Sequence, residues 1–447
     1  MRPYVRFEAG RLFRDPRSLA VFIILILVTQ YFVALGAQEY RRFKNDKALF
    51  LRYEKEKVSH YVNYTQYGGF GFRVLYEGAP LAAFFFNSQV LADVESNIDN
   101  FEAIRVEYSF KGKKLFLQRV HYRDFAGFLF LVGPLFMLYL GGISIPSLAY
   151  LKMMLRRISF NRFLALTTTV RLLLLDLFFI LLVALALLLS RAAGLPFSRA
   201  DIRHLLAFTL YLLLFLDFFY LLGFSLAALI RSRSRFLLWG LAAWFAAVFI
   251  LPEIGRLTVF NRSARLTPSA QVDLDKFATL MEMEKKVEEY YRNHEVFSKD
   301  EFRQIQKQMA ISFLNSGYLL NLSREKKYQS EVADVIRRFE RQSLLFPSLY
   351  YTFLSGELSA KGYYGYLAFV DYILTLRLRF LRFFISKKYE SNNGGQVESF
   401  VRADENVFPA PSLLPSMFWN AMAVVAAYCL AFFALACSGW RRSLYQA

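Results

Sequence analysis

The chain has 447 residues and is 56% apolar and 18% aromatic yet 20% charged, with 48 Phe against 12 Pro. Soluble globular chains sit near ~45–50% apolar on a scale that includes Gly, so this composition excludes disordered, collagen-like and disulfide-framework classes and leaves a membrane protein with large water-facing parts. Its 55 basic and 36 acidic residues give a net +19, a figure that acquires meaning only when the charges are located.

Apolar runs close to the ~20 residues needed to cross a bilayer core occur at 18–36, 125–145, 164–190, 204–230, 236–251 and 412–437, predicting six transmembrane helices. The first follows an Arg-rich start and ends in Ala34-Leu35-Gly36, as a signal peptide would. Its long start carries Glu8 and Asp15, which favours a retained span. The fold class expected is a polytopic α-helical membrane protein in five parts. These are an elbow and first span (1–36), a small α+β insert (37–124), spans two to five (125–251), a larger, mainly helical insert (252–411), and the last span with its tail (412–447).

Within the first insert, Gln38–Tyr64 reads as a charged helix, followed by the turn residues Gly68-Gly69-Phe70-Gly71. FRVLYEG and LAAFFFN read as strands, and Ile104–Val120 as a hairpin about Lys111-Gly112-Lys113. In the second insert Asp273–Tyr291, Lys299–Leu314 and Ser323–Phe346 have helical patterns, with Ser298 and Glu301 spaced as a capping box. Tyr363–Ile385 is apolar enough to suggest a seventh span. Asp371, Arg377, Arg379 and Arg382 oppose it at about 2.5–3.5 kcal/mol each near a helix centre. A helix on the outer membrane surface or against the other spans is expected there.

Charge fixes the expected orientation. The start, the two short connections near 146–163 and 231–235, and the tail together hold 14 basic and 2 acidic residues, whereas each long insert is only +3. By the positive-inside rule both termini and the short loops face the cytoplasm and both inserts are extracytoplasmic. The basic excess then reflects topology and lipid contact, with no nucleic-acid partner. Cys429 and Cys437 share the last span about 12 Å apart along a helix, too far to bridge.

No phosphate-binding loop is present: Gly112-Lys113 is followed by Lys114, and Glu107 stands where the first Gly belongs. The four histidines are scattered, so no metal site is expected, and Gly69-x-Gly71 reads as a turn. Ionisable groups at membrane depth are costly and mark candidate functional positions. Asp176 and Asp217 fall near mid-depth on adjacent antiparallel spans, with Arg171 nearer the cytoplasm and either snorkelling or meeting a neighbouring helix. The Asp pair has three readings: interhelical hydrogen bonding, a substrate or proton pathway, and an intramembrane aspartyl protease. The contexts Leu175-Asp176 and Leu216-Asp217-Phe218 lack the Tyr-Asp and Gly-x-Gly-Asp of that enzyme class.

Segment 6–22 (RFEAGRLFRDPRSLAVF), Tyr76-Glu77-Gly78-Ala79-Pro80-Leu81, LLGFSLAALIRSRSRFLLWGLAAWFAAVFILPEI (221–254) and LFPSLYYTFLSGELSAKGYYGYLAFVDY (345–372) occur in order across nearly the whole chain. Together they resemble permease subunits of ATP-binding-cassette (ABC) transporters of the type-2 exporter family, in the branch with a large insert between the fifth and sixth spans. The resemblance implies a non-catalytic subunit without cofactor of its own, in a bacterial cytoplasmic (inner) membrane. ATP and magnesium would be bound by separate cytoplasmic ATPase subunits, which couple hydrolysis to translocation. It also implies that the segment near 146–162 is a cytoplasmic coupling helix, with Leu148, Tyr150, Leu151, Lys152, Leu155, Arg156 and Arg157 at the ATPase, and Arg231, Arg233 and Arg235 in a second cytoplasmic loop. The family's E-x-E-x-G-T-L is degraded here, with Ile145 and Ser147 at the two Glu positions and Ala149-Tyr150 for Gly-Thr. That favours a degenerate half of a heterodimeric permease over a homodimer. The alternative reading is a membrane anchor or mechanical transmitter for an extracytoplasmic protein, without solute flux.

Overall fold

The computed structural model describes residues 10, 16–85, 95–98, 124–144, 159–230, 232–262, 298–312, 319–390, 397–400, 406–410 and 412–445, with scattered helical positions between 274 and 293. Six helices among the described residues are long and apolar enough to cross a membrane: Leu19–Ser59, Phe125–Gly142, Phe160–Ala192, Arg199–Leu229, Ser234–Gly255 and Phe418–Arg442. Leu173, Leu177, Ile180, Leu181 and Leu188 stand exposed along one of them, a surface suited to hydrocarbon and unsuited to water. The chain has the build of a helical membrane protein.

Helix α1 (Pro16–Ser59) merges the first span and the charged segment after it into one rod. At 1.5 Å per residue it is about 66 Å long, roughly twice a ~30 Å bilayer core. Helix α2 (Tyr64–Phe70) is capped by Asn63 and leads into strand β1 (Phe72–Glu77). The described part of LAAFFFN, 81–85, forms no strand: Pro80–Ala83 is a 3-10 turn, started by Pro80, and Phe84 and Phe85 are buried among the spans. Strand β2 (Glu95–Ile98) follows. The expected hairpin at 104–120 lies outside the described residues.

Helix α3 (Phe125–Gly142) begins at Asp124, which accepts the Gly127 N–H, and contains Pro134. Helix α4 (Phe160–Ala192) returns, and α5 (Arg199–Leu229) opens with a Ser198–Asp201 capping box. The fifth span comprises α6 (Arg233–Phe245), a π segment (Ala246–Ile250) and α7 (Leu251–Arg262), so it runs past the expected end at 251. The helices of the second insert are α8 (Lys299–Ser312), α9 (Leu319–Ser343), α10 (Pro347–Leu358) and α11 (Tyr363–Glu390). Strand β3 (Val407–Pro409) precedes α12 (Phe418–Tyr445). The last helix starts later than expected, because Ser412–Pro415 is extended and Leu413 N–H bonds to the Glu357 carbonyl at 3.2 Å.

Both inserts contribute to one three-stranded sheet of order β2-β1-β3, antiparallel on one side and parallel on the other. Tyr67, Phe72 and Tyr76 from the first insert and Phe369, Ile373 and Phe380 from the second share a single core. The apolar face of α11 therefore packs against the sheet, while Tyr363 and Tyr364 at its start pack against the core of the spans. Lys47–Glu77 (2.6 Å) and Arg73–Glu54 (2.8 Å) hold β1 against the protruding half of α1.

The spans alternate in direction. Phe22 meets Phe136 near one end of α3, and Phe32 meets Phe128 near the other. Phe163 and Leu164 of α4 cluster with Phe224, Ala228 and Ala436, gathering the ends of α4, α5 and α12 opposite the inserts. Gly141 and Gly223 bring α3 and α5 into backbone contact: a Cβ at either position would collide with a main-chain carbonyl of the other helix.

Candidate functional site

At the end of the bundle away from the inserts, Arg162, Arg235, Arg441 and Arg442 are exposed on the ends of α4, α6 and α12. Arg441 also donates to the Asn161 side-chain oxygen at 2.8 Å. Arg233 opens α6. Leu148, Tyr150, Leu151, Lys152, Leu155, Arg156, Arg157 and Arg231 lie outside the described residues. The segment that contains most of them is bounded by Ser144, whose hydroxyl bonds the Tyr220 hydroxyl at 2.6 Å, and by Phe160 at the start of α4.

Midway along their helices the structure brings the side chains of Asp176 of α4 and Asp217 of α5 into proximity. A hydrogen bond between two carboxyls would need one proton as its donor. The Oδ1 atom of each is buried and has no hydrogen-bond partner among the described residues. Cys429 of α12 lies beside Asp217, its thiol directed at the Leu214 carbonyl at 4.0 Å, too long for a strong bond. Arg171 is only 3% exposed, so of its two expected roles the structure supports contact with protein over snorkelling to headgroups. No group of three or more His, Cys, Asp or Glu among the described residues is placed to hold a metal ion.

The third polar region escaped sequence reasoning. Every residue of α10 except Thr352 is buried, and Tyr351 packs its ring on Phe130 of α3 and Phe208 and Phe215 of α5. Tyr351 donates to the Ala126 carbonyl and Tyr211 of α5 to the Pro347 carbonyl, both at 2.9 Å. A helix of the second insert is thus wedged among the insert-side halves of the spans, where short elements are tolerated because protein, not lipid, surrounds them. At the far end of α10, Glu357 is 1% exposed and accepts the Tyr364 N–H at 3.2 Å, capping α11 from outside it. Burial pushes its carboxyl up to about 8, against the backbone donors of Tyr364, Tyr363 and Gly365 that favour the charged form. The same burial lowers the pKa of neighbouring Lys361.

No family model, curated protein or solved structure matches the chain. What the site can do is therefore read from its own chemistry. Among the described residues of the three regions, none join a nucleophile to a base and an oxyanion donor, the combination that acyl transfer needs. The regions instead link elements: a basic end, a carboxyl pair between spans, and a buried junction tying helices of the second insert to spans. The signal that sequence reading passed over is Glu357, a lone acid in the otherwise uncharged helix 347–358, followed five and eight residues later by Gly362 and Gly365.

Proposed function

We propose that the chain is the membrane-spanning permease subunit of an ATP-driven transporter of the type-2 exporter kind, with both termini at the cytoplasmic face and the composite sheet-and-helix region outside. The observation that carries this reading is the seating of α10 between α3 and α5. A push on the connection between α3 and α4 would move α3. Its glycine-mediated contact with α5 would carry that movement to α10, and α10 would carry it to the outer region. Cytoplasmic ATPase subunits, holding ATP and magnesium, would supply the push at Leu148–Arg157 and at the Arg231–Arg235 loop. The altered Ile145–Tyr150 segment favours a second, different permease chain as partner. Membrane lipids cover the remaining apolar faces of the spans.

The deciding experiment is purification of the chain from its native membrane, identification of what accompanies it, and reconstitution of that complex in vesicles. A cytoplasmic ATPase, a second permease chain, and ATP-dependent flux are expected. Two copies of this chain alone would refute the heterodimer, and recovery without any ATPase would refute the transporter. ATP hydrolysis without flux would favour the mechanical transmitter, a reading supported by the outer domain built jointly from both inserts.

A further inference from the structure

Helix α1 changes from apolar to charged just after Gly36. Ile24, Leu27 and Tyr31 are exposed before that point, and Arg41 and Arg42 are exposed after it. From Pro16 to Gly36 the helix rises about 30 Å, the thickness of a bilayer core. Lipid headgroups on the insert side therefore lie level with the first turns after Gly36. The turn between α4 and α5 stands at the same height, since its Ala193, Leu195 and Phe197 share a small core with Tyr40 and Ala83.

A cleft of about 30 Å³ opens here. Glu39, Tyr40 and Phe43 of α1 line it together with Gly78 and Ala82 of the first insert and Lys361 of the second. Gly36 lets α1 meet the Pro80–Ala83 turn, because a Cβ there would fall on the Ala83 carbonyl. The Lys361 stem crosses Gly78, its Cε only 3.1 Å from where a Cβ would sit. Burial opposes the Lys361 charge, and in such surroundings an anion is attracted more strongly than in water. With three N–H donors, this ammonium can keep a protein contact and still meet a ligand. Glu39 is half-buried and, when ionised, only accepts hydrogen bonds.

An apolar track leads into the cleft from the bilayer. Leu35 and Phe32 are half-buried, one and two turns before Glu39 on the same side of α1. Phe32 meets Phe128 of α3, so the track follows the seam between these spans. A carboxylate and an ammonium above an apolar seam complement a lipid whose headgroup carries both a phosphate and an amine. Size chooses the amine. A single water needs about 10–15 Å³, so the cleft takes a primary ammonium. Three methyl groups on the nitrogen would overfill it and leave Glu39 no N–H to accept.

We propose that the cleft binds the phosphoethanolamine headgroup of a lipid in the insert-side leaflet, with the phosphate at Lys361 and the amine at Glu39. The Tyr40 hydroxyl adds a hydrogen bond, and the acyl chains lie along Leu35 and Phe32. Because α1 and both inserts line the cleft, the bound lipid joins the first span to the domain that the inserts build together.

Native mass spectrometry of the full chain, loaded with equimolar phosphatidylethanolamine, phosphatidylcholine and phosphatidylglycerol, tests this. Phosphatidylethanolamine should be retained about tenfold over either competitor, the size of one charge-assisted hydrogen bond. Glu39→Gln should bring that preference within about twofold. Lys361→Met keeps the stem without the charge and should cut phosphatidylethanolamine retention about tenfold. Equal retention of phosphatidylethanolamine and phosphatidylcholine by the unmodified protein would overturn the site, and so would an unchanged preference in Glu39→Gln. A preference for phosphatidylglycerol would overturn it too, as the mark of a general anion site. Soluble glycerophosphoethanolamine retained as well as the lipid would rule out the membrane as the source of the ligand. The readout involves neither ATP nor flux, so it succeeds or fails separately from the transport proposal.

Discussion

Gly141 and Gly223 show how much one methyl group can decide in a helical bundle. Each faces the other helix's main chain, at the Tyr220 and Leu138 carbonyls, with no flexible side chain between them to give way. Gly223→Ala should therefore force α3 and α5 apart and cost roughly 1–3 kcal/mol, the usual penalty for overpacking. Thermal unfolding of the purified protein in detergent reads that loss directly. The Asp pair should behave differently. Asn at 217 can donate from its amide to Asp176, so Asp217→Asn should stay within about 1 kcal/mol of the unmodified protein. Asp217→Leu should lose up to ~1.7 kcal/mol, the upper range for hydrogen bonds between membrane helices. Denaturant titration of both variants checks this. A flux defect in Asp217→Asn at unchanged stability would move the pair from bundle support to the transport pathway.

At the scale of elements, α10 and its terminal Glu357 make stability depend on pH. A free Glu ionises near about 4.3, whereas burial holds the Glu357 carboxyl up to about 8. Between those values the folded chain binds more protons than the unfolded one, so stability falls as pH climbs and the fall ends above about 8. Glu357→Gln keeps a carbonyl to accept the α11 amides but cannot ionise. Unfolding free energies from pH 5 to 9 should decline for the parent by an amount on the order of a few kcal/mol and stay flatter in the variant. The six spans and most outer helices were legible because hydrophobic run length and helical period are local signals. The continuity of α1 was not, since a change from apolar to charged composition looks like a boundary while the backbone need not break. The partner of α11 was hidden too. Its apolar face declares that something covers it, but only the pairing of β1 with β3, separated by more than 300 residues, says what. Glu39 and Lys361 were equally invisible, being ordinary charged residues until the fold brings them to one cleft.

For the whole molecule, the joint sheet changes what counts as a domain. Sequence division at 37–124 and 252–411 suggests two bodies that can be altered independently, yet β1 lies between β2 of its own insert and β3 of the other. Phe380 is at the centre of their common core, fully buried, with ring centroids 5.3 Å from Tyr67, 5.2 Å from Phe72 and 5.4 Å from Phe400. Truncation to Ala removes an aromatic side chain from a packed interior, a change that costs about 3–5 kcal/mol. If the inserts form one body, the loss cannot stay within the second insert, where residue 380 resides. Limited proteolysis and hydrogen exchange of Phe380→Ala should show 64–77 and 406–410 loosening together, while α3, α4 and α5, whose core contains none of these residues, keep their protection. Loosening confined to 363–410 would separate the inserts again. The movement transmitted by α10 would then reach only the second of them.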